Sequence, residues 1–274
     1  MILLKKILGS LEARLCQPFL NIWRTVYFNF RTLPFSQAIK FPIYIYGNMH
    51  FFMLNGNVDI KSDKLKRGMI KIGINGDSFS LSDGSGYIQI SSKKSRIIFE
   101  GPCRIALNSK IRVVNGILKF GPYTRIGSGT KIICNGGKIS VGAHTGITFA
   151  CTVMNSSFHY IYDSEKCQYN NRTKNITIGQ RNWIGNQTTI LGGTITSDDT
   201  IVGSGSLLNS SYLKYAEKNV LLAGRPAKAV KFGLKRVFSP KIEVKVSELF
   251  KNNDLEFISS PEFIDNPEDI IIEM

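Results

Sequence analysis

Histidine is scarce in this chain: His50, His144 and His159 are the only three among 274 residues, so a mechanism that turns on an imidazole has few possible carriers. Cysteine is present but unpatterned. Cys16, Cys103, Cys134, Cys151 and Cys167 are odd in number and widely spaced, with no pair at a metal-ligand or redox spacing, which argues against a disulfide framework and fits a reduced, cytoplasmic setting. No apolar run approaches the roughly 20 residues that cross a bilayer. Met1 to Leu8 holds only a short apolar patch broken by Lys5 and Lys6, so a secretory leader is not expected either. Acidic residues are few outside the C-terminal end. Residues 240–274 hold three Lys and nine Asp or Glu, a net of −6, so of the formal +15 the first 239 residues carry +21. A body so charged attracts anions such as an acidic polysaccharide, an anionic membrane face or a phosphate-bearing cofactor. The aromatic residues are not interleaved with the basic ones as in nucleic-acid modules, so nucleic acid is not expected as a partner.

What the chain does have is a sixfold period. Ile178, Ile184, Ile190, Thr196, Val202 and Leu208 fall at every sixth position; Gly179, Gly185 and Gly203 follow three of them, and Thr188, Thr194, Thr200 or Ser206 stands four places after four of them. Six fits neither a helix of 3.6 residues per turn nor a strand alternating every two. It fits a coil in which three hexads, each a short strand and a turn, close a triangular rung with the anchors stacked inside. The same frame runs through Phe120, Ile126 and Ile132, shifts by three residues, and resumes at Val141, Ile147 and Val153. Thr196 replaces an aliphatic anchor and predicts one imperfect rung.

The fold class expected is an all-β solenoid, a left-handed parallel β-helix with an N-terminal helical segment and a C-terminal tail. Residues 1–40 form the helical cap or interface segment: Leu3, Leu4, Ile7, Leu8, Leu11 and Leu15 recur at helical spacing, and a second, aromatic-rich helix covers Phe19 to Phe30. Its Trp23, Tyr27, Phe28 and Phe30, beside Arg24 and Arg31, suit either a solenoid cap or peripheral contact with the inner membrane face. Residues 41–231 form the β-helix, with strands expected at Ile43 to Tyr46, Met69 to Ile74, Tyr87 to Ile90, Arg96 to Phe99 and Lys110 to Val114. The frame is interrupted by a loop at 154–175, and residues 232–274 are an acidic extension in which Val244 to Lys251 can form a short helix. Loops that interrupt a repeat array tend to lie on its working face.

His159 stands in that loop, within NSSFHYIYD. On the residues alone it is either an idle loop histidine or a general base that accepts a proton from a hydroxyl. His144 reads as a surface corner residue and His50 as structural. Trp183 is either packing at a coil edge or a flat wall for a ligand. Arg225, Lys228 and Lys231 are either a solvated basic turn or a site for phosphates.

From Ile176 to Lys231 the chain, ITIGQRNWIGNQTTILGGTI through IVGSGSLL to AGRPAKAVK, resembles the acyltransferases of the left-handed β-helix, hexapeptide-repeat superfamily. Asn155 to Asp163 is similar to the histidine loop of members that acetylate bacterial capsule, exopolysaccharide or O-antigen sugars, polysialic acid O-acetyltransferases among them. The resemblance runs from Phe120 to Lys231 and is weak or absent at both ends. It implies an acetyl-CoA-dependent O-acetyltransferase with His159 as general base and Trp183 beside the acyl-CoA arm. Gly185, Asn186, Gly203, Ser204 and Gly205 would line the CoA groove, with Arg225, Lys228 and Lys231 at its adenosine end. Asn155 and Asp163 are expected on the substrate side. Ser157 stands where relatives carry an acidic residue two places before the histidine, so Asp163 or a backbone carbonyl would orient the imidazole. The family implies a homotrimer with clefts between subunits and no metal, since the close histidine pair of hexapeptide-repeat carbonic anhydrases is missing. The acceptor would be a sugar or polysaccharide; a small-molecule O-acetyltransferase and a non-catalytic glycan-binding solenoid are the alternatives.

Overall fold

The computed structural model describes residues 18–75, 85–252, 256–259 and 265; the helix expected over Leu3 to Leu15 lies outside them. The chain winds into three parallel sheets, nine, seven and five strands wide, that form the sides of a β-helix. The all-β solenoid read from the sixfold frame is therefore the architecture observed. The first face takes Ile43–Ile45, Ile70–Ile74, Cys103–Ala106, Thr124–Ile126, Gly146–Ile147, Trp183–Ile184, Ile201–Val202 and Leu221–Gly224, and closes with the antiparallel strand Ala227–Lys231. The second face runs from His50–Leu54 to Leu207–Leu208, and the third from Asn57–Ile60 to Ile176–Ile178.

Coil length explains the frame shift. Trp183 pairs with Ile201, eighteen residues on, whereas Lys110 pairs with Lys131 and Lys131 with Thr152, twenty-one apart. The three extra residues sit at the edge between the second and third faces, at Asn135, Gly136 and Gly137, where both glycines have positive φ.

Anchors stack into buried columns. On the first face Ile45, Ile72, Ile105, Ile126, Ile147, Ile184, Val202 and Leu222 align rung over rung, each at most 2% exposed. Phe99 and Phe120 stack on the third face with ring centroids 5.4 Å apart. The small hydroxylated residues close the corners: Thr124 Oγ1 donates to the Gly121 carbonyl at 2.7 Å, Thr194 to Leu191 at 2.8 Å, Thr200 to Ser197 at 2.9 Å and Ser206 to Gly203 at 2.6 Å. Each bond reaches back three residues, the local turn that hydroxyl side chains favour.

The rung at Thr196 is polar rather than imperfect. Its hydroxyl donates to Asn182 Oδ1 at 2.7 Å and accepts from the Gly179 N–H at 3.0 Å, while Asn182 Nδ2 donates to the carbonyls of Gln180 and Ser197. Both side chains are buried, and their polar groups are satisfied by one another.

Helix α1, Ile22–Thr32, starts on the Asn21 cap and lies along the first strand of the solenoid. Asn29 accepts from the Ile43 N–H and donates to its carbonyl, and Thr25 does the same for Ile45. Two helix side chains thus occupy backbone groups that an edge strand would leave open. The helix expected over Phe19 to Phe30 starts later because Asn21 supplies the cap, and it ends before Pro34. Helix α2, Phe35–Ala38, follows, and helix α3, Pro240–Asn252, extends the Val244 to Lys251 expectation at both ends.

Candidate active site

The segment read as a loop at 154–175 is a β-hairpin arm. Ile161–Asp163 pairs antiparallel with Gln168–Asn170, and Ser156 bridges Thr173 at its base. It leaves the solenoid between Thr152–Met154 on the second face and Ile176–Ile178 on the third, at the same edge as the Asn135 to Gly137 bulge. Asn155 brackets this edge: its Oδ1 accepts from the Asn135 N–H at 2.8 Å and its Nδ2 donates to the Gly136 carbonyl at 2.7 Å. Its side chain is buried, so the structure places it beneath the arm rather than on it.

His159 is exposed near the start of the arm. Ser157 supports the backbone there, donating from Oγ to the His159 carbonyl at 2.8 Å, and Arg172 Nη1 donates to the Phe158 carbonyl while its guanidinium lies 4.8 Å from the Tyr160 ring centre. Asp163 is engaged in the hairpin turn. Its Oδ1 accepts from the N–H groups of Glu165 and Lys166, both at 3.1 Å, and its Oδ2 lies 3.6 Å from Lys166 Nζ. A cavity of about 420 Å³ opens at the base of the arm, among Met154, Ser157, Ile161, Arg172, Lys174 and Leu191.

Trp183 stands elsewhere, pointing outward from the first face and 40% exposed. From it the expected CoA residues run along the edge between the first and second faces in successive coils. The Gly185 N–H donates to the Val202 carbonyl, Gly203 to Leu222, and Gly205 to Asn186. A Cβ on Gly185 would meet Ser204 N at 2.6 Å, so close stacking of the next coil accounts for that glycine. Gly205, at φ 71°, faces open space beside the exposed Ser204, with Asn186 half-buried on the coil before. Arg225, Lys228 and Lys231 lie exposed on the hairpin formed by Leu221–Gly224 and Ala227–Lys231, and no ion pair joins them to an acid among the described residues. Within one chain, then, Trp183, the glycine edge and the cationic hairpin form one track, while His159, Asp163 and Asn155 belong to another edge.

The buried thiols are poor nucleophiles. Burial pushes the Cys134 thiol up to about 11 and shifts Cys103 in the same direction.

Sequence reasoning missed Arg236. Its guanidinium lies 5.5 Å from the Trp183 ring centre and 5.1 Å from that of Phe238, and burial holds its pKa below the ordinary arginine value, with Glu243 and Asp265 opposing. His144, read as a surface corner, stacks on Tyr123 at 5.0 Å and lines a groove of about 490 Å³ with Arg125 and Arg236, opposite α3. Arg125 was legible: laying the 21-residue coils in register puts it one rung beyond Arg104. Arg236 was not, because it returns from a segment outside the repeat.

No known family profile matches the chain. Over 76 residues it is 35% identical to the polysialic acid O-acetyltransferase of Neisseria meningitidis, covering 28% of this chain and 35% of that protein. Over 56 residues it is 39% identical to a provisionally named lipopolysaccharide biosynthesis O-acetyl transferase, WbbJ, of Escherichia coli (strain K12), covering 20% of this chain and 26% of that one. The resemblance is to surface-glycan O-acetyltransferases. The matches span only about a third and a quarter of those relatives' lengths. Among solved structures, the polySia-specific acetyltransferase NeuO aligns over 77% of this chain and 98% of its own at 21% identity and TM-score 0.45. The polysialic acid O-acetyltransferase OatWY aligns over 74% and 98% at 23% identity and TM-score 0.37.

Proposed function

We propose that this protein is an acetyl-CoA-dependent O-acetyltransferase that modifies a hydroxyl of a bacterial surface polysaccharide or its precursor. The observation that carries the reading is the track from the exposed indole of Trp183, along the Gly185 to Gly205 edge, to the three cations at Arg225, Lys228 and Lys231 that have no acidic partner among the described residues. Its chemistry fits a long, phosphate-bearing thioester: cations at the far end for phosphates, open backbone at Gly205 and Asn186 for the amide-rich arm, a flat apolar wall at Trp183 for the reacting end.

His159 is the group available to accept the acceptor's hydroxyl proton. As the oxygen forms its bond to the thioester carbonyl, the carbon–sulfur bond breaks and the thiolate leaves, taking up the proton the imidazole received. No covalent enzyme intermediate is required, in keeping with the buried, protonated thiols. Binding both substrates in one cleft supplies much of the rate. Because His159 and Trp183 stand on different edges, the complete cleft forms between copies, which favours a homotrimer. The relatives, a polysialic acid O-acetyltransferase and a lipopolysaccharide biosynthesis O-acetyl transferase, favour an acidic or lipid-linked glycan over serine or a simple sugar.

Thioester consumption measured with acetyl-CoA and a panel of acceptor glycans tests this. Wild type is expected to turn over and His159→Ala to lose at least a hundredfold in kcat with CoA binding retained. Full activity in the variant removes His159 from the chemistry, and a wild type that does not bind CoA removes the enzyme.

A further inference from the structure

The outward positions of the first face, read rung by rung, are Tyr44, Lys71, Arg104, Arg125, Gly146, Trp183, Ile201 and Leu221. Lys71, Arg104 and Arg125 thus bring three cations into successive register, on rungs that stand only about 4.8 Å apart. On the third face Arg96 pairs with Asp59 at 3.5 Å and Lys119 with Glu100 at 2.8 Å. Burial, and then Arg104 on the next rung, lower the Lys71 pKa.

Gly146 leaves one rung bare, and the space is taken from outside the row. A Cβ built on Gly146 would meet Arg236 Nη1 at 3.0 Å. The Arg236 guanidinium therefore fills the gap between Arg125 and Trp183, and the cationic row becomes continuous up to the indole. A second cavity, of about 230 Å³, is lined by Arg104, Arg125, Arg236, Asn75 and Thr148.

The decisive atoms are those of Arg125. Its Nε and Nη2 are buried and make no hydrogen bond among the described residues. These two donors form the side-on fork that matches a carboxylate. The same fork of Arg181 shows what such a pair does when an acid is at hand: Nε and Nη2 donate to Asp199 Oδ1 and Oδ2 at 2.8 and 2.7 Å. Leaving a buried charged donor unmade is costly, and an anion arriving in the cavity removes that cost. The chain's own carboxylates indicate which anion. Glu243 and Glu248 of α3 line the facing wall of the groove, and Glu243 acts on Arg236.

We propose that the first face carries a track for a carboxylate-bearing glycan, running from Lys71 past Arg104, Arg125 and Arg236 to Trp183. Four rung steps separate Lys71 from Trp183, about 19 Å at strand spacing, which suits a polymer with repeating charge better than one small anion. The proposal rests on the acetyltransferase reading for its direction: the thioester approaches Trp183 from Arg225, and the acceptor approaches from the opposite end of the same face.

The test is titration calorimetry on the full chain without acetyl-CoA, using oligogalacturonate, its methyl ester and inorganic polyphosphate. Oligogalacturonate is expected to bind, more weakly as salt rises, with the uncharged ester at least tenfold weaker. Arg125→Gln and, separately, Arg104→Gln are each expected to weaken binding about tenfold, the effect of one charged hydrogen bond or more, with CoA affinity and melting temperature unchanged. Arg125→Lys, which keeps the charge but not the fork, is expected to resemble Arg125→Gln. Equal binding of the ester, binding of polyphosphate alone, or an unchanged affinity in both glutamine variants overturns the track. If CoA binds and the track fails, the acetyltransferase stands without it; if CoA does not bind while oligogalacturonate binds through Arg125, the track stands and the enzyme falls.

Discussion

Single side chains decide how a rung of this solenoid closes. At most rungs an aliphatic anchor fills the interior, but at Thr196 the interior holds a hydroxyl and the Asn182 amide, joined at 2.7 Å and tied to the backbone at Gly179, Gln180 and Ser197. Thr196→Val keeps the shape and removes the hydroxyl, leaving Asn182 Oδ1 and the Gly179 N–H unsatisfied in the interior. The expected loss is about 1–3 kcal/mol, read as a lower urea midpoint with unchanged slope, with Thr196→Ser close to wild type. A Thr196→Val protein as stable as wild type would show that the network contributes nothing net. The sixfold count placed Thr196 inside correctly. What it could not show was the partner, because Asn182 lies fourteen positions earlier, at a corner of the preceding coil.

At the scale of elements, legibility followed periodicity. Tyr87–Ile90, Arg96–Phe99 and Lys110–Val114 have the bounds expected from their apolar alternation. His50–Leu54 and Cys103–Ala106 were missed, the first because four of its five residues are not buried and so give no alternation. The arm at 161–170 was missed for a related reason: its strands are three residues each, almost wholly exposed, and joined by a turn without glycine. Helix α1 was legible as a helix, and its inner face now has a task in pairing with Ile43 and Ile45. Its outer face carries Ile22, Trp23, Tyr27 and Phe30, with Trp23 85% exposed, among Arg24 and Arg31. No helix of the described residues is long and apolar enough to cross a membrane. Amphipathic aromatic rings beside arginines suit the surface of an anionic bilayer. We propose that contact for α1. Co-sedimentation with vesicles containing 30% (roughly) phosphatidylglycerol is expected to retain the wild-type chain and to fall several-fold for Trp23→Ala/Tyr27→Ala. Equal retention of both proteins, or equal retention on neutral vesicles, would remove the membrane from the function.

For the molecule as a whole, the separation of His159 from Trp183 is the feature that asks for explanation. The arm with His159 leaves between the second and third faces, whereas Trp183 and the cationic hairpin belong to the first face. A rigid stack of rungs gives no hinge through which one chain could fold its own arm around to the other edge. The homotrimer proposed above would need no hinge: in a head-to-tail ring the arm of one copy would meet the first face of the next, and every interface would repeat the same contact. Subunit mixing tests the geometry directly. His159→Ala and Trp183→Ala proteins, each impaired alone, are unfolded, mixed in equal amounts and refolded together. An interface that receives an intact arm from one chain and an intact indole from the other is wild type in composition, and random assembly places about a quarter of interfaces in that arrangement. Recovery of roughly a quarter of wild-type thioester consumption is therefore expected, together with a sedimentation mass of three chains. If the mixture shows only the sum of the two variants' activities, the site lies within one subunit and the arm must reach Trp183 by a path that the stacked rungs do not offer.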